Sequence, residues 1–585
     1  MRAISTTRAA AVVLVASASL LLATSSPVFG APTPDPTFGQ GGLVINPASG
    51  QYHDVVAMPD GGVVAVAGGA DVDASDAPGL LVRYDASGAL VQSFGSAGTE
   101  TIARAGYRIA FTHVEHGSGG MLVAFGGYAH GSSDCGIAIA RVDGSTGAPD
   151  PTFATTGLLL RSVGTRGICT SHVLNGDLLS PGGTVLPDGR LVAVHSYSTG
   201  SPRNPTIGAA VVMVDRNGAP STAFGGTSGQ ALVALPGWAQ VGSPQVASDG
   251  RVVVAVASQD PTTSDLTSSI GALRLLPSGS RDLTFGRSGL ALRHPFGFFS
   301  APGTVALVLQ SGGRVVAAGG LDRAGFFDEY QDDTAVLRFT ASGGPDLTFT
   351  NVGQPFARIP VMFVNRAVRA ADGSLLLVGA ENDGPLMGND PLSVGRLAHV
   401  SANGVPDLTF GPKGVMNVID AGTNQSSQQG LAISATGALT LAGLRTTNPD
   451  PNVESRVATL TRLTSTAPVR RTAAIESGLS GAYGIFRSCG TTVTAPCTMG
   501  TTWYFMGNAW PMEQHDPPRV VTQLQRRQTD GSWGAVQAGI WTATDTGNFR
   551  GAGHLTSVGV YRIRAAVPLS AATNLSYGAW QYFRH

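Results

Sequence analysis

One string constrains this chain more than anything else in it. Asp-x-Thr-Phe-Gly, or a close relative, returns seven times, with its phenylalanine at Phe38, Phe94, Phe153, Phe224, Phe285, Phe349 and Phe410; the six intervals average 62 residues. Self-similarity at a fixed period restricts a chain to stacked or ring-like repeats of one supersecondary unit. Between the strings the same parts return in order. A Gly turn comes first (Asp60-Gly61, Asp188-Gly189, Asp249-Gly250, Asp372-Gly373), followed by an apolar strand such as Val63–Gly68 or Leu375–Gly379. A polar loop of variable length then leads to a strand ending at Arg83, Arg141, Met213, Arg274, Arg338, Arg396 or Arg462. Short strands rich in Val, Leu and Ile between Asp-Gly and Gly-Gly turns are hairpin signals, and four strands per unit is the content of one propeller blade. The phenylalanine is expected to fill the seam between neighbouring blades. The recurrent arginine is expected to pair with backbone or carboxylate groups rather than with a ligand.

Closure distinguishes a ring from a rod. The seventh unit ends near Thr461-Arg462-Leu463-Thr464 without its string, while the N-terminus carries a spare one, Asp35-Pro36-Thr37-Phe38-Gly39, followed by Leu43–Asn46. An N-terminal strand completing the last blade leaves no open sheet edge. The expected fold is therefore all-β: a seven-bladed β-propeller of about 62-residue repeats over 32–466, followed by a small β-sandwich over 467–585.

Over about residues 35–465 the strings, the period and the Asp-Gly turns resemble the delta-60 repeat family, a group of mostly bacterial proteins expected to form β-propellers. The resemblance implies an architecture and carries no activity or catalytic residues. Departures from it are Gln92-Ser93-Phe94, Thr222-Ala223-Phe224, Thr350 or Ala154 in place of the final Gly, and the missing arginine of the third unit. In the tail, Val521–Arg527, Asp530-Gly531-Ser532-Trp533 and Tyr561–Ala565 resemble the immunoglobulin-like modules of secreted bacterial proteins. Alternating stretches at Val520–Arg526, Ser532–Ala538 and Tyr561–Val567 predict antiparallel strands there, and the tail holds Trp503, Trp510, Trp533, Trp541 and Trp580 of the six tryptophans.

Arg2 and Arg8 before the apolar run Ala9–Thr24, with small residues at Gly30 and Ala31, read as a signal peptide over 1–31. That places the expected protein outside the cytoplasm, secreted or periplasmic, with no membrane span after signal removal. Nearly every basic residue is arginine; Lys413 is the one lysine, so lysine-based chemistry would rest on it alone. A formal net charge of -1 predicts no general pull on nucleic acid. Four cysteines suit an oxidised compartment. Three connectivities are open; the local one pairs Cys489 with Cys497 and Cys135 with Cys169.

The search for chemistry returns little. No Gly-x-Ser-x-Gly elbow occurs, and His113-Val114-Glu115-His116 has metal-ligand residue types without a zincin spacing, since strand positions three apart face opposite sides. No cofactor is implied except Ca2+. Carboxylates crowd the loops between second and third strands, above all Asp322, Asp328, Asp332, Asp333, Glu381 and Asp383, with Asp71, Asp73 and Asp76 in a calcium-loop-like run. These are candidate metal ligands; the alternative is that polar loops must carry something soluble. Three functions stay open. The first is a non-catalytic binding or scaffold protein, monomeric, meeting a glycan or another extracellular protein through a propeller face or the sandwich. The second is a carbohydrate- or cell-wall-directed enzyme with carboxylates at the propeller channel. The third is a structural envelope component. No residue is assigned a catalytic role.

Overall fold

The computed structural model describes residues 32–68, 76–131, 134–163, 182–201, 204–259, 268–294, 305–323 and 331–350, then most of 356–464, and parts of 471–585. The 1–31 segment of the expected signal peptide lies outside the described residues. No helix among the described residues is long and apolar enough to cross a membrane.

The described strands make seven antiparallel groups of four, the first two joined through a Gly68–Ala110 pairing and the last extended by a short fifth strand, followed by smaller sheets in the tail. The first group is Asp54–Ala57, Val63–Gly68, Gly79–Tyr84 and Thr99–Ile102. The last is Ser426–Ile433, Leu439–Thr446 and Arg456–Thr464, and its fourth strand comes from the N-terminus: Leu43–Asn46 pairs with Ala458–Thr461. The pair Thr33–Pro34 extends the same edge, with Pro34 opposite Leu463. Each group's first strand lies against the first strand of the next, and Ser426–Ile433 lies against Asp54–Ala57, so the succession returns to its start. These seven first strands are the inner ones.

Seven apolar clusters lie at the seven seams, and each contains one phenylalanine of the repeated string. Phe94 joins the first and second groups, Phe153 the second and third, and so on through Phe410 between the sixth and seventh. Phe38 belongs to the seam that closes the succession, packed with Val63, Ala65, Ala442 and Leu460. All seven rings are essentially fully buried. Burying an aromatic side chain of this size is worth roughly 1.5–3 kcal/mol, repeated at every seam.

The rest of the string is accounted for by polar contacts. Asp282 accepts hydrogen bonds at Oδ1 from the Thr284 backbone N–H (3.0 Å) and hydroxyl (2.6 Å), and at Oδ2 from Arg274 Nε (2.8 Å). Asp346 does the same with Thr348 and Arg338. The guanidinium lies over the ring of its own string, 4.2 Å for Arg274 on Phe285 and 4.0 Å for Arg462 on Phe38. It then reaches into the next group: Arg83 Nη1 donates to Gly144 O (2.8 Å), Arg274 Nη1 to Ala341 O (2.6 Å), Arg338 Nη1 to Ala402 O (3.0 Å). Arg462 Nη1 donates to Ala86 O at 2.9 Å, which ties the last group to the first. The arginine is thus a seam fastener.

In the sixth group that position belongs to His399, and not to Arg396 as the sequence suggested. His399 stands opposite Leu376 as Arg338 stands opposite Val316, and its Nδ1 is 2.7 Å from Asp407 Oδ2. A histidine hides the equivalence because the sequence signal was the guanidinium.

The string's glycine takes a left-handed conformation (φ +56° at Gly39, +55° at Gly286) so that its N–H can reach the next group's turn, as Gly39 N to Ser87 O at 2.7 Å. Ala154 replaces that glycine and is held at φ +48°.

In the tail, Ala474–Ser480, Thr502–Trp510 and Asn548–His554 form one antiparallel sheet. Trp533–Thr542, Arg519–Arg527, Val560–Val567 and Gln581–Arg584 form the core of a second. The expected strands are present with ends moved by at most four residues, and Leu524, Tyr561, Ile563 and Phe583 are buried in this second sheet.

Candidate axial site

The inner strands carry polar side chains that reach their neighbours, among them the His113 and Glu115 noted in the sequence. A β-bulge interrupts the inner strands of the second, fourth, sixth and seventh groups, between Phe111 and His113, Val241 and Pro244, Val364 and Arg366, and Gln428 and Gly430. A bulge adds a residue and re-aims the side chains after it. His113 and Arg366 both follow one.

Asp54, at the start of the first inner strand, is fully buried. Its Oδ2 accepts from His113 Nδ1 (2.5 Å) and from Val114 N (3.1 Å), and Arg366 Nη2 is 3.3 Å away. His113, 3% exposed, has its other nitrogen 3.0 Å from Glu115 Oε1 and stacks on Phe125. Glu115 Oε2 accepts from Val185 N (2.8 Å) and the Thr184 hydroxyl (3.2 Å) on the third inner strand. Two carboxylates and two cations therefore meet with formal charges that cancel.

The protonation states follow from position. Burial works against a charged His113, and Arg366, 2.8 Å from its Nδ1, adds to that; Asp54 and Glu115 outweigh both and lift it above its ordinary value. Burial would raise Asp54, but Arg366 and His113 hold it below its usual value. Glu115 is likewise lowered against burial, chiefly by its hydrogen bond from His113. The cluster thus favours an imidazolium at His113, between two carboxylates.

The same geometry repeats with neutral groups. Gln245 of the fourth inner strand donates to Leu307 O (2.9 Å) and accepts from Leu309 N (2.8 Å) on the fifth. Asn365 of the sixth donates to Gln428 O (2.8 Å) on the seventh. At these seams side chains bridge neighbouring inner strands. A cavity of about 240 Å³ remains beside these bridges, lined by His113, Glu115, Thr184, Ser243, Gln245, Asn365 and Arg366 among others. A third of the Glu115 side-chain surface is open. His116 faces elsewhere, with Nε2 2.8 Å from Ala57 O.

The sequence pointed at other residues. Asp322, Asp332, Asp333, Glu381 and Asp383 lie on paired strands rather than in loops, because the hairpins Arg314–Arg323 with Gln331–Phe339 and Leu375–Asp383 with Leu392–Val400 continue their ladders further than the apolar runs. Asp322 stands opposite Asp332. Asp333 is buried, and its Oδ2 accepts from Arg358 Nε at 2.5 Å. Asp328, Asp71 and Asp73 lie outside the described residues. Among the described residues no group of three or more His, Cys, Asp or Glu is arranged to hold a metal ion. Cys135 and Cys497 are both disulfide-bonded; Cys169 and Cys489 lie outside the described residues. Asp54 and Arg366 went unnoticed in the sequence, since a lone charge next to an apolar run gives no signal until the bulge is known.

No protein-family model matches the chain, and no curated protein matches it. Among solved structures it is similar to a polysaccharide lyase (10% identity over 72% of this chain and 90% of that one, TM-score 0.40). It is similar also to an alpha-L-arabinanase from Penicillium chrysogenum complexed with arabinobiose (11%, 74% and 97%, TM-score 0.31). A third is the Pyrococcus horikoshii acylaminoacyl peptidase (10%, 80% and 59%, TM-score 0.33). At these TM-scores the fold of the chain rests on its own strand pairing and seams.

Proposed function

We propose that this is a non-catalytic binding or scaffold protein acting outside the cytoplasm. One observation carries the reading: the axial carboxylates are engaged in bridging blades. Asp54 and Glu115 are both held ionised, and each holds the neighbouring inner strand through a backbone N–H. Glycoside hydrolysis needs one carboxyl kept protonated near neutral pH as the acid, and neither fits that part.

A second reading, a carbohydrate- or cell-wall-directed enzyme, draws on the cavity, into which Glu115 is partly open. The two separate in one experiment. The secreted protein is incubated with neutral and uronate-containing polysaccharides and assayed for new reducing ends and for unsaturated ends by ultraviolet absorbance. The binding reading expects neither. Turnover that disappears in Glu115→Gln would establish the enzyme.

A further inference from the structure

The tail carries charge opposite to the rest of the chain. Residues 467–585 hold ten arginines against five Asp and Glu, so a chain of net charge -1 has a basic tail on an acidic remainder. Part of that charge is built into one sheet face. Along Val560–Val567, Tyr561 and Ile563 are buried, so Arg562 and Arg564 stand on the opposite face, where both are half-buried. Gln525 and Gln523 are their cross-strand partners, and Tyr582 pairs with Arg562 from the other side.

These residues interleave into a stack. The Arg562 guanidinium lies 4.4 Å from the Trp533 ring centre and 4.2 Å from that of Trp580; Arg564 lies 4.4 Å from Trp580. Tyr582 meets Trp533 edge-on at 5.8 Å. Nε of each arginine donates to a neutral amide, Arg562 to Gln525 Oε1 and Arg564 to Gln523 Oε1, both at 2.8 Å. A guanidinium held flat by rings and tethered at Nε keeps its Nη edge fixed, and that edge matches a planar oxyanion. Two residues along a strand place the second guanidinium about 6.7 Å from the first. Trp533 and Trp580, each partly exposed, add apolar surface beside them for a sugar ring.

We propose that this face of the tail binds an acidic polysaccharide, its uronate or sulfate groups taken by Arg562 and Arg564 and its rings by Trp533 and Trp580. This deepens the binding reading by naming a partner class, and it rests on that reading. Repeated anions along one polymer match repeated guanidinium groups along one strand.

The test uses the full secreted chain and three immobilised polymers of similar length: polygalacturonate, dextran sulfate and neutral dextran. Single-stranded DNA and anionic vesicles are measured at the same ionic strength. The inference expects binding to at least one acidic polysaccharide, none to dextran, and at least tenfold weaker binding in Arg562→Gln/Arg564→Gln. Arg562→Lys, which keeps the charge and loses the flat fork, should also lose severalfold. An unchanged thermal melt shows that each variant is folded, and Trp580→Phe is the alternative where the double variant is not. Equal affinity for DNA or vesicles, wild-type affinity in the double variant, or full affinity in Arg562→Lys overturns it. Turnover of the polymers would instead overturn the non-catalytic reading, so the two failures are distinguishable.

Discussion

Ala154 shows what the repeated glycine is for. It sits where five-residue strings elsewhere place Gly39 or Gly286, and it adopts their left-handed backbone because its N–H must reach Asn217 O (2.9 Å) in the next group. An L-residue there costs roughly 1–2 kcal/mol. Ala154→Gly should therefore stabilise the protein by about 1 kcal/mol in urea melts; no gain would mean that the turn is not strained. Asp54 is the opposite case, a residue whose removal should cost much. Leaving the buried His113, with the partly exposed Arg366 beside it, without a carboxylate costs about 3–5 kcal/mol, so Asp54→Asn should lower the melting temperature sharply. The pH profile gives a second readout. His113 is raised from 6.5, so its contribution is whole below 6.5 and lost as pH climbs through the raised value. Asp54 and Glu115 are lowered from 3.8 and 4.5, so theirs are whole above those values and lost as pH falls. Stability should peak between about 4.5 and 6.5, and Asp54→Asn should flatten the alkaline limb. A wild-type profile flat across that limb would contradict the imidazolium assignment.

The strands show how far sequence patterns reach. Glycine turns and the string's phenylalanine mark every repeat, and those marks were legible because φ sign and ring volume admit few residues. Ladder lengths were not, since the pairing of Asp322 with Asp332 continues on backbone bonds that polar side chains do not report. Nor were the bulges, which decide that His113 and Arg366 meet Asp54. The third group carries the clearest internal experiment. Met213 occupies the arginine position, and Ser221, whose N donates to Met213 O as Asp282 N does to Arg274 O, occupies the aspartate position. Charge and countercharge are missing together, as expected where either alone would be buried without its partner. Met213→Arg should destabilise by about 2–4 kcal/mol and Ser221→Asp by less, while the double variant should recover more than about 1 kcal/mol of the sum. Additive effects in that cycle would mean that the arginine's carboxylate partner contributes nothing at the seams.

Taken whole, the molecule is a succession of four-stranded groups that ends where it began. Phe38 fills the closing seam, Arg462 ties the last group to Ala86, and Gly39 reaches Ser87. Phe38 and Gly39 belong to the N-terminal segment, whose strand Leu43–Asn46 pairs with Ala458–Thr461 some 400 residues away in sequence. Deleting 32–46 should expose the edge of Arg456–Thr464 and cause aggregation; a deletion variant that stays monodisperse would argue that the edge is covered another way. The most direct measurement is native-state hydrogen exchange of the amides in Leu43–Asn46. If the N-terminal strand is an integral part of the ring, those amides exchange only with the global unfolding seen for Ala458–Thr461. Exchange of Leu43–Asn46 by local fraying, while Ala458–Thr461 stays protected, would contradict closure by this strand.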